Sequence, residues 1–101
     1  MAQYDVILFP AARGDLMDVW DDLGALPSEQ SERFLDSLVE AAEQLRASPE
    51  VHPLARDVQF RLRGYRVLRL GDYLVFYSII GKTVELRRMF FARRQYEGLV
   101  T

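Results

Sequence analysis

The sequence predicts an α+β fold in which a strand and two helices precede an antiparallel sheet. Helical spacing of apolar residues is confined to the first half of the chain, and strand-forming residues dominate the second half. Elements that are grouped by type in this way favour α+β over alternating βαβ units. Because 101 residues correspond to the size of one domain, we expect a single domain over residues 1–101.

The chain begins with a predicted strand and a first helix. Residues 4–9 form a short apolar run that ends at Pro10, which is typical of a strand. The helix is predicted over residues 11–23, with Gly24 at its C-terminal end. Its buried face is indicated by apolar residues at i, i+3, i+4 and i+7, namely Leu16, Val19, Trp20 and Leu23.

A second helix follows after a short loop. Ser28 is a suitable N-cap, and Pro49 falls just past the expected end. The buried stripe is predicted to consist of Phe34, Leu35, Leu38, Ala42 and Leu45. Two helices that are joined by a short loop indicate an antiparallel helix hairpin. We expect this hairpin to cover one face of the sheet.

The second half reads as a meander of three or four strands. Residues 65–70, 73–80 and 83–91 are rich in Val, Ile, Leu, Tyr and Phe, and residues 58–62 are interpreted as a further short strand. Gly71-Asp72 and Gly81-Lys82 are two-residue turns in which Gly accepts a positive φ. The predicted meander leaves its second face free.

Charge is divided unevenly between the two halves. Residues 1–50 carry 11 acids and 3 bases, a net of −8, and residues 51–101 carry 4 acids and 10 bases, a net of +6. Nine of those ten bases are Arg, which binds carboxylate and phosphate groups in a bidentate manner. Either the two halves pair with each other, or the second half presents a basic binding surface.

Strand alternation assigns neighbouring arginines to opposite faces. Arg66 and Arg69 are predicted to point to opposite sides, and Arg87 shares a side with Met89 and points away from Arg88. At least one arginine of each pair therefore points towards the core side. A buried Arg needs a carboxylate partner, from the acidic first helix or from another chain.

The acids of the first helix and the histidine are predicted to have structural or solvated roles. Asp15, Asp18, Asp21 and Asp22 lie opposite the apolar stripe, where a charged helix face is usually solvated although carboxylates also bind Mg²⁺ or Ca²⁺. His52 has no second histidine with which to form a metal site. We therefore expect no metal and no cofactor.

One segment resembles a known family. Residues 64–77, GYRVLRLGDYLVFY, are similar to the core signature of the RelE/ParE superfamily of type II toxins. Residues 86–90, LRRMF, followed by the basic RRQY at 93–96, resemble the last strand and the tail of the ParE branch. The start is also similar, with a strand, Pro-Ala-Ala and a helix that bears Asp15 and Trp20. The resemblance covers most of the chain and implies a RelE/ParE-like fold.

The two branches of this superfamily imply different activities. RelE-like members cut mRNA in the ribosomal A site, ParE-like members poison DNA gyrase, and a cognate antitoxin wraps and neutralises both. A nuclease of this kind would use Arg66, Arg69, Arg93 and Tyr96 here. Leu74, however, stands where RelE-like members usually carry Arg, and Phe91 stands where many relatives of both branches carry His. Arginine is also a poor proton shuttle because it stays protonated. The incomplete set favours the ParE branch.

Three hypotheses therefore stay open. The first is a gyrase-binding toxin, the second is a ribosome-dependent endoribonuclease, and the third is a decayed, non-toxic binding domain. Only the second is an enzyme. The residues expected to contact a partner or a target are Arg66, Arg69, Arg87, Arg88, Arg93, Arg94 and Tyr96. An antitoxin is the expected partner, in a hetero-oligomer or beside a toxin homodimer.

The compartment is predicted from cysteine content and apolar runs. The chain has no cysteine, which excludes disulfides and is typical of cytoplasmic proteins. The longest strongly apolar run, residues 74–80, is far shorter than a membrane span. We expect a cytoplasmic protein that does not cross a membrane.

Overall fold

The computed structural model describes residues 3–24 and 28–92, and these residues have the predicted α+β fold. The elements in chain order are β1 (Asp5–Leu8), α1 (Pro10–Asp22), α2 (Glu29–Ala47), α3 (Val58–Leu62), β2 (Arg66–Leu70), β3 (Tyr73–Ile80) and β4 (Thr83–Phe91). None of the helices in these ranges is long and apolar enough to cross a membrane.

Capping residues set the ends of the two long helices close to the predicted positions. Pro10 begins α1, where its missing N–H costs no hydrogen bond. Gly24 follows the end of α1 with a φ of 88°, as expected of a helix stop. Ser28 is the N-cap of α2, and its Oγ accepts a hydrogen bond from the Ser31 N–H at 3.0 Å. The Ser31 Oγ accepts one from the Ser28 N–H in return.

The predicted strand at residues 58–62 is wrong, because this segment is the short helix α3. The Asp57 carboxylate caps the helix by accepting a hydrogen bond from the Phe60 N–H at 3.2 Å. A strand would bury Val58, Phe60 and Leu62 on one face. Only Phe60 is buried, whereas Val58 is 65% exposed and Leu62 is 79% exposed. An alternating pattern of five residues therefore misled the interpretation, and the capping aspartate was the better signal.

The four strands form one sheet in the order β1-β4-β3-β2. Strands β2, β3 and β4 are antiparallel neighbours, which confirms the predicted meander. Gly71 and Gly81 adopt φ values of 58° and 59° in its two turns. Strand β1 runs parallel to β4, with Leu8 opposite Leu86. This pairing is a long-range contact that the local pattern did not reveal.

A register shift in β4 overturns the predicted orientation of its arginines. Leu86 is opposite Tyr77 and Arg88 is opposite Phe76, so Arg87 has no partner in β3. One extra residue in a strand reverses the alternation beyond it. Met89 consequently packs in the same core as Leu86, contrary to the prediction that these two residues point to opposite faces.

One face of the sheet is covered by the two long helices and the other is covered at one end, although the prediction left that second face free. Helix α1 packs against β4, and α2 packs against β1 and β2. The core on this side contains the fully buried Val75, Tyr77 and Val84. On the opposite side, α3 and the preceding segment cover one end of the sheet. The second core consists of Ala55, Phe60, Tyr65, Phe76 and Phe90.

Candidate functional site

Arg66, a predicted contact or catalytic residue, is bound to the loop after α2. Its Nη1 donates hydrogen bonds to the carbonyl oxygens of His52 at 2.6 Å and Glu50 at 3.4 Å. The cross-strand neighbour Tyr77 donates its hydroxyl to the Pro49 carbonyl at 2.6 Å. Burial raises the pKa of Tyr77 to about 12, and the charge of Arg66 opposes part of that rise. These contacts assign Arg66 a structural role.

Arg69 lies apart from Arg66, as alternation predicted. Its Nε donates a hydrogen bond to the Gly71 carbonyl at 2.7 Å, and the residue is exposed. The structure therefore does not bring the two β2 arginines together around one substrate position. The two arginines lie on opposite faces of β2, so one bound phosphate group would not contact both.

Arg88 forms a fork with Asp15 of α1. Its Nε and Nη2 donate to the two carboxylate oxygens at 2.7 and 3.2 Å. The same carboxylate accepts the Met89 N–H at 2.9 Å. Strand β1 ends at Leu8, so this part of β4 lies beyond the end of its parallel neighbour, and Asp15 satisfies the Met89 N–H there. The Asp15 side chain is only 12% exposed, so the interpretation of a solvated acid is wrong at this position.

The other acids of α1 remain near the surface. Asp18 and Asp22 line a small cleft of about 160 Å³ beside Arg88 and Phe91. Within residues 3–24 and 28–92, no three His, Cys, Asp or Glu side chains lie close enough to hold a metal ion. The described acids therefore form no metal site.

Arg87, the extra residue in β4, lies above aromatic rings. Its Nη1 donates to the Glu85 carboxylate at 2.9 Å, and its Cζ lies 4.0 Å from the centre of the Phe9 ring and 5.5 Å from that of Tyr65. Glu85 also accepts a hydrogen bond from the buried Ser78 hydroxyl. Hydrogen bonding and ring contact together define the position of this guanidinium group.

These elements surround a cleft of about 230 Å³ on the α3 side of the sheet. We call it the arginine cleft; its lining includes Phe9, Phe60, Arg63, Tyr65, Arg87 and Arg88. Arg63 is not among the arginines that the sequence predicted to contact a partner or a target. The cleft forms because the end of α3 and the extra residue of β4 meet there, and neither feature was predicted.

The remaining predicted site residues, Arg93, Arg94 and Tyr96, lie outside the described residues. The described part of the chain ends at Ala92, whose N–H donates to the Asp72 carbonyl at 2.6 Å. This bond attaches the end of β4 to the turn between β2 and β3.

The described groups can bind anions but form no proton-transfer set. In the arginine cleft, Tyr65 is only 6% exposed, and the other nearby ionisable groups are arginines and their carboxylate partners. The His52 ring lies edge-on to Tyr77, beside the helix-side core. Cleavage of RNA needs a base and an acid at the phosphate, and the described residues do not place such a pair beside these arginines.

The chain is similar to known proteins in sequence and in fold. A family model described as the ParE toxin of the type II toxin–antitoxin system, parDE, matches residues 6–96. The chain is similar to one in the toxin–antitoxin complex RelBE2 from Mycobacterium tuberculosis, at 29% identity and a TM-score of 0.63. That match covers 89% of this chain and 99% of the other.

A second structure supports the fold alone. The chromosomal ParDE system from P. aeruginosa matches with a TM-score of 0.69 at 16% identity, over 89% of this chain and 97% of the other. No curated protein matches the sequence. The two structural matches and the family model confirm the resemblance to the RelE/ParE superfamily.

Proposed function

Because the chain belongs to the ParE toxin family of type II toxin–antitoxin systems, we propose that it inhibits DNA gyrase by binding. A cognate antitoxin neutralises it by covering the toxin in a hetero-oligomer. Gyrase acts in the cytoplasm, and we assign the toxin to the same compartment. In this proposal the chain catalyses no reaction.

The observation that carries the proposal is the state of Arg66. A nuclease would need this arginine to stabilise a phosphate, yet its Nη1 is bound to the carbonyl oxygens of His52 and Glu50. Arg88 is paired with Asp15 and Arg87 with Glu85, so neither is an unpaired cation, although both keep N–H groups that are not used within the chain. Arginines that shape the fold and its surface are consistent with a toxin that acts through protein contacts.

The contact surface for gyrase is assigned to the end of β4 and the tail that follows it. The tail carries Arg93, Arg94 and Tyr96. Its attachment point is defined, because Ala92 is hydrogen bonded to Asp72. The position of Ala92, the residue that precedes the tail in sequence, is therefore defined.

Truncation of the tail tests this assignment. We expect deletion of residues 93–101 to abolish growth inhibition, and the double substitution Arg93→Ala with Arg94→Ala to weaken it strongly. Arg33→Ala is the matched control, because Arg33 is a 76% exposed arginine on α2 that is paired with Glu29 of the same helix. Circular dichroism should show the native fold in every variant. Full toxicity of the truncated chain would refute the assignment.

One observation favours a second candidate function. The RelBE2 chain shares 29% identity with this chain, against 16% for the ParDE chain. The alternative is therefore a ribosome-dependent endoribonuclease that uses Arg93. It predicts cleavage of translated mRNA in arrested cells and loss of cleavage in Arg93→Ala. Arrest without cleavage would exclude it, and the absence of any arrest would indicate a domain that has lost its toxicity.

A further inference from the structure

The arginine cleft combines positive charge with an aromatic lining. Phe9, Phe60 and Tyr65 contribute aromatic rings to it. Arg87 lies 4.0 Å from the centre of the Phe9 ring, and Arg88 lies 4.5 Å from that of Phe90. A cation above an aromatic face is restricted in position, which lowers the entropy cost of binding an anion.

Internal carboxylates orient two of these guanidinium groups without using all of their donors. A guanidinium group has five N–H bonds. Glu85 takes one from Arg87, and Asp15 takes two from Arg88. The two arginine side chains remain 31% and 34% exposed. Both arginines therefore keep N–H groups that a bound carboxylate can accept.

Arg63 is the third cation of the cleft and has no internal partner among the described residues. It follows the last residue of α3 and is exposed. Its side chain makes no hydrogen bond or ion pair with any residue in 3–24 or 28–92. The three arginines face two carboxylates, those of Asp15 and Glu85, so the cleft has an excess of positive charge.

Size and charge limit what the cleft can hold. Its volume of about 230 Å³ is below the range of roughly 300–1,000 Å³ that is typical of small-molecule sites. Nucleic-acid surfaces are usually strongly basic, whereas this chain has a net charge of −2 and a pI near 5.3. A short peptide with apolar and acidic side chains fits these conditions.

We propose that the arginine cleft is the docking site for an acidic, apolar segment of the antitoxin. One apolar side chain of that segment packs on Phe9, the partly exposed ring of the cleft, above the buried Phe60 and Tyr65. Flanking Asp or Glu side chains accept hydrogen bonds from Arg63, Arg87 and Arg88. The identity of the occupant rests on the proposed neutralisation by an antitoxin, whereas the chemistry of the cleft does not depend on it.

The cleft itself is tested with a defined peptide. The probe is a short capped peptide that alternates Leu or Phe with Glu, and Lys replaces Glu in its counterpart. In NMR spectra of the whole chain, we expect the acidic peptide to shift the Nε–H signals of Arg63 and Arg87, and the basic peptide to leave them unchanged. No shift at millimolar acidic peptide would overturn the proposal. Arg63-dependent binding of oligothymidylate in place of the peptide would also overturn it, in favour of a nucleic-acid site.

Charge reversal tests the occupant in the purified toxin–antitoxin complex. We expect Arg63→Glu to weaken antitoxin binding about tenfold, because an attraction is replaced by a repulsion, with the loss reduced at high salt. Arg33→Glu reverses an exposed arginine on α2 and should bind the antitoxin as the unmodified toxin does. Equal affinity of the two variants would overturn the proposal.

These measurements separate this proposal from the proposed target. Peptide shifts without gyrase inhibition would leave the cleft assignment standing and refute the target. Gyrase inhibition without peptide shifts would support the target and refute the cleft assignment. Far-UV circular dichroism of Arg63→Glu establishes that its fold is intact, so that a loss of affinity reports on the cleft.

Discussion

Substitution of Asp15 by Ala should destabilise the fold more than any other change to the acids of α1. The Asp15 carboxylate accepts hydrogen bonds from Arg88 Nε, Arg88 Nη2 and Met89 N. The Met89 N–H lies in a residue that is 2% exposed, and leaving such a donor unsatisfied costs about 1–3 kcal/mol. Arg88 is about one-third exposed and can turn towards water, so its loss adds only about 1 kcal/mol.

The higher helix propensity of Ala offsets roughly 0.5 kcal/mol of this cost. We therefore expect a decrease of about 2–3 kcal/mol in the free energy of unfolding. Asp15→Asn keeps one acceptor oxygen and should cost less, about 1 kcal/mol. Urea unfolding followed by Trp20 fluorescence measures both changes, as a lower midpoint with an unchanged slope.

Asp18→Ala is the matched control for this measurement. Asp18 lies on the same helix and is exposed, and its side chain makes no hydrogen bond or ion pair with the described residues. Its substitution should change the free energy of unfolding by less than about 0.5 kcal/mol. If Asp15→Ala and Asp18→Ala had the same stability, Asp15 would not hold Arg88 and the edge of β4 as described.

Two further predictions concern Tyr77 and the glycines. Burial raises the pKa of Tyr77 from about 10 in the unfolded chain to about 12 in the folded one. Its contribution to stability is therefore fully present below pH 10 and falls by about 2–3 kcal/mol between pH 10 and pH 12. Tyr77→Phe should lower the free energy of unfolding by about 1–3 kcal/mol at neutral pH and remove most of the stability loss between pH 10 and pH 12. Urea midpoints at neutral and alkaline pH test both effects. A stability loss at alkaline pH that is unchanged in Tyr77→Phe would contradict the assignment of that loss to Tyr77. Gly81→Ala should destabilise the fold by about 1–2 kcal/mol, because the φ of Gly81 is +59°. Gly14→Ala, inside α1 with open space around it, should stabilise the fold by about 0.5–1 kcal/mol. Thermal unfolding should show midpoint shifts of opposite sign, and shifts of the same sign would contradict this account.

Local signals predicted the elements whose ends are set by one or two residues. Gly24 and Ser28 marked helix ends within about a residue, and Pro10, predicted as the end of the first strand, is the first residue of α1. Such signals succeed because the backbone needs of a helix end are local. Gly71 and Gly81 marked the turns for the same reason. Helix α3 was mistaken for a strand because five residues carry too little periodicity to separate the two structures.

The features that build the site depend on contacts distant in sequence. The fork between Asp15 and Arg88 joins residues 73 positions apart, and the parallel pairing of β1 with β4 joins the two ends of the fold. The extra residue at Arg87 leaves no signature in the order of apolar residues. The sequence therefore offered the arginines of the last strand as candidates, but it could not predict which faces they occupy or that Arg63 lies in the same cleft.

The excess of arginine in the second half now has a partial explanation. Of the two alternatives that the charge division left open, pairing within the chain holds for Arg88, which binds an acid of α1. A binding surface is proposed for Arg63, and the gyrase contact for the tail. The two alternatives thus apply to different residues of one basic half.

The most direct test of the central claim is supercoiling of relaxed plasmid by DNA gyrase with the purified, folded chain. We predict that the chain inhibits supercoiling and traps cleaved DNA, and that deletion of residues 93–101 removes both effects. Unimpaired supercoiling by gyrase in the presence of the folded chain would contradict the proposed function.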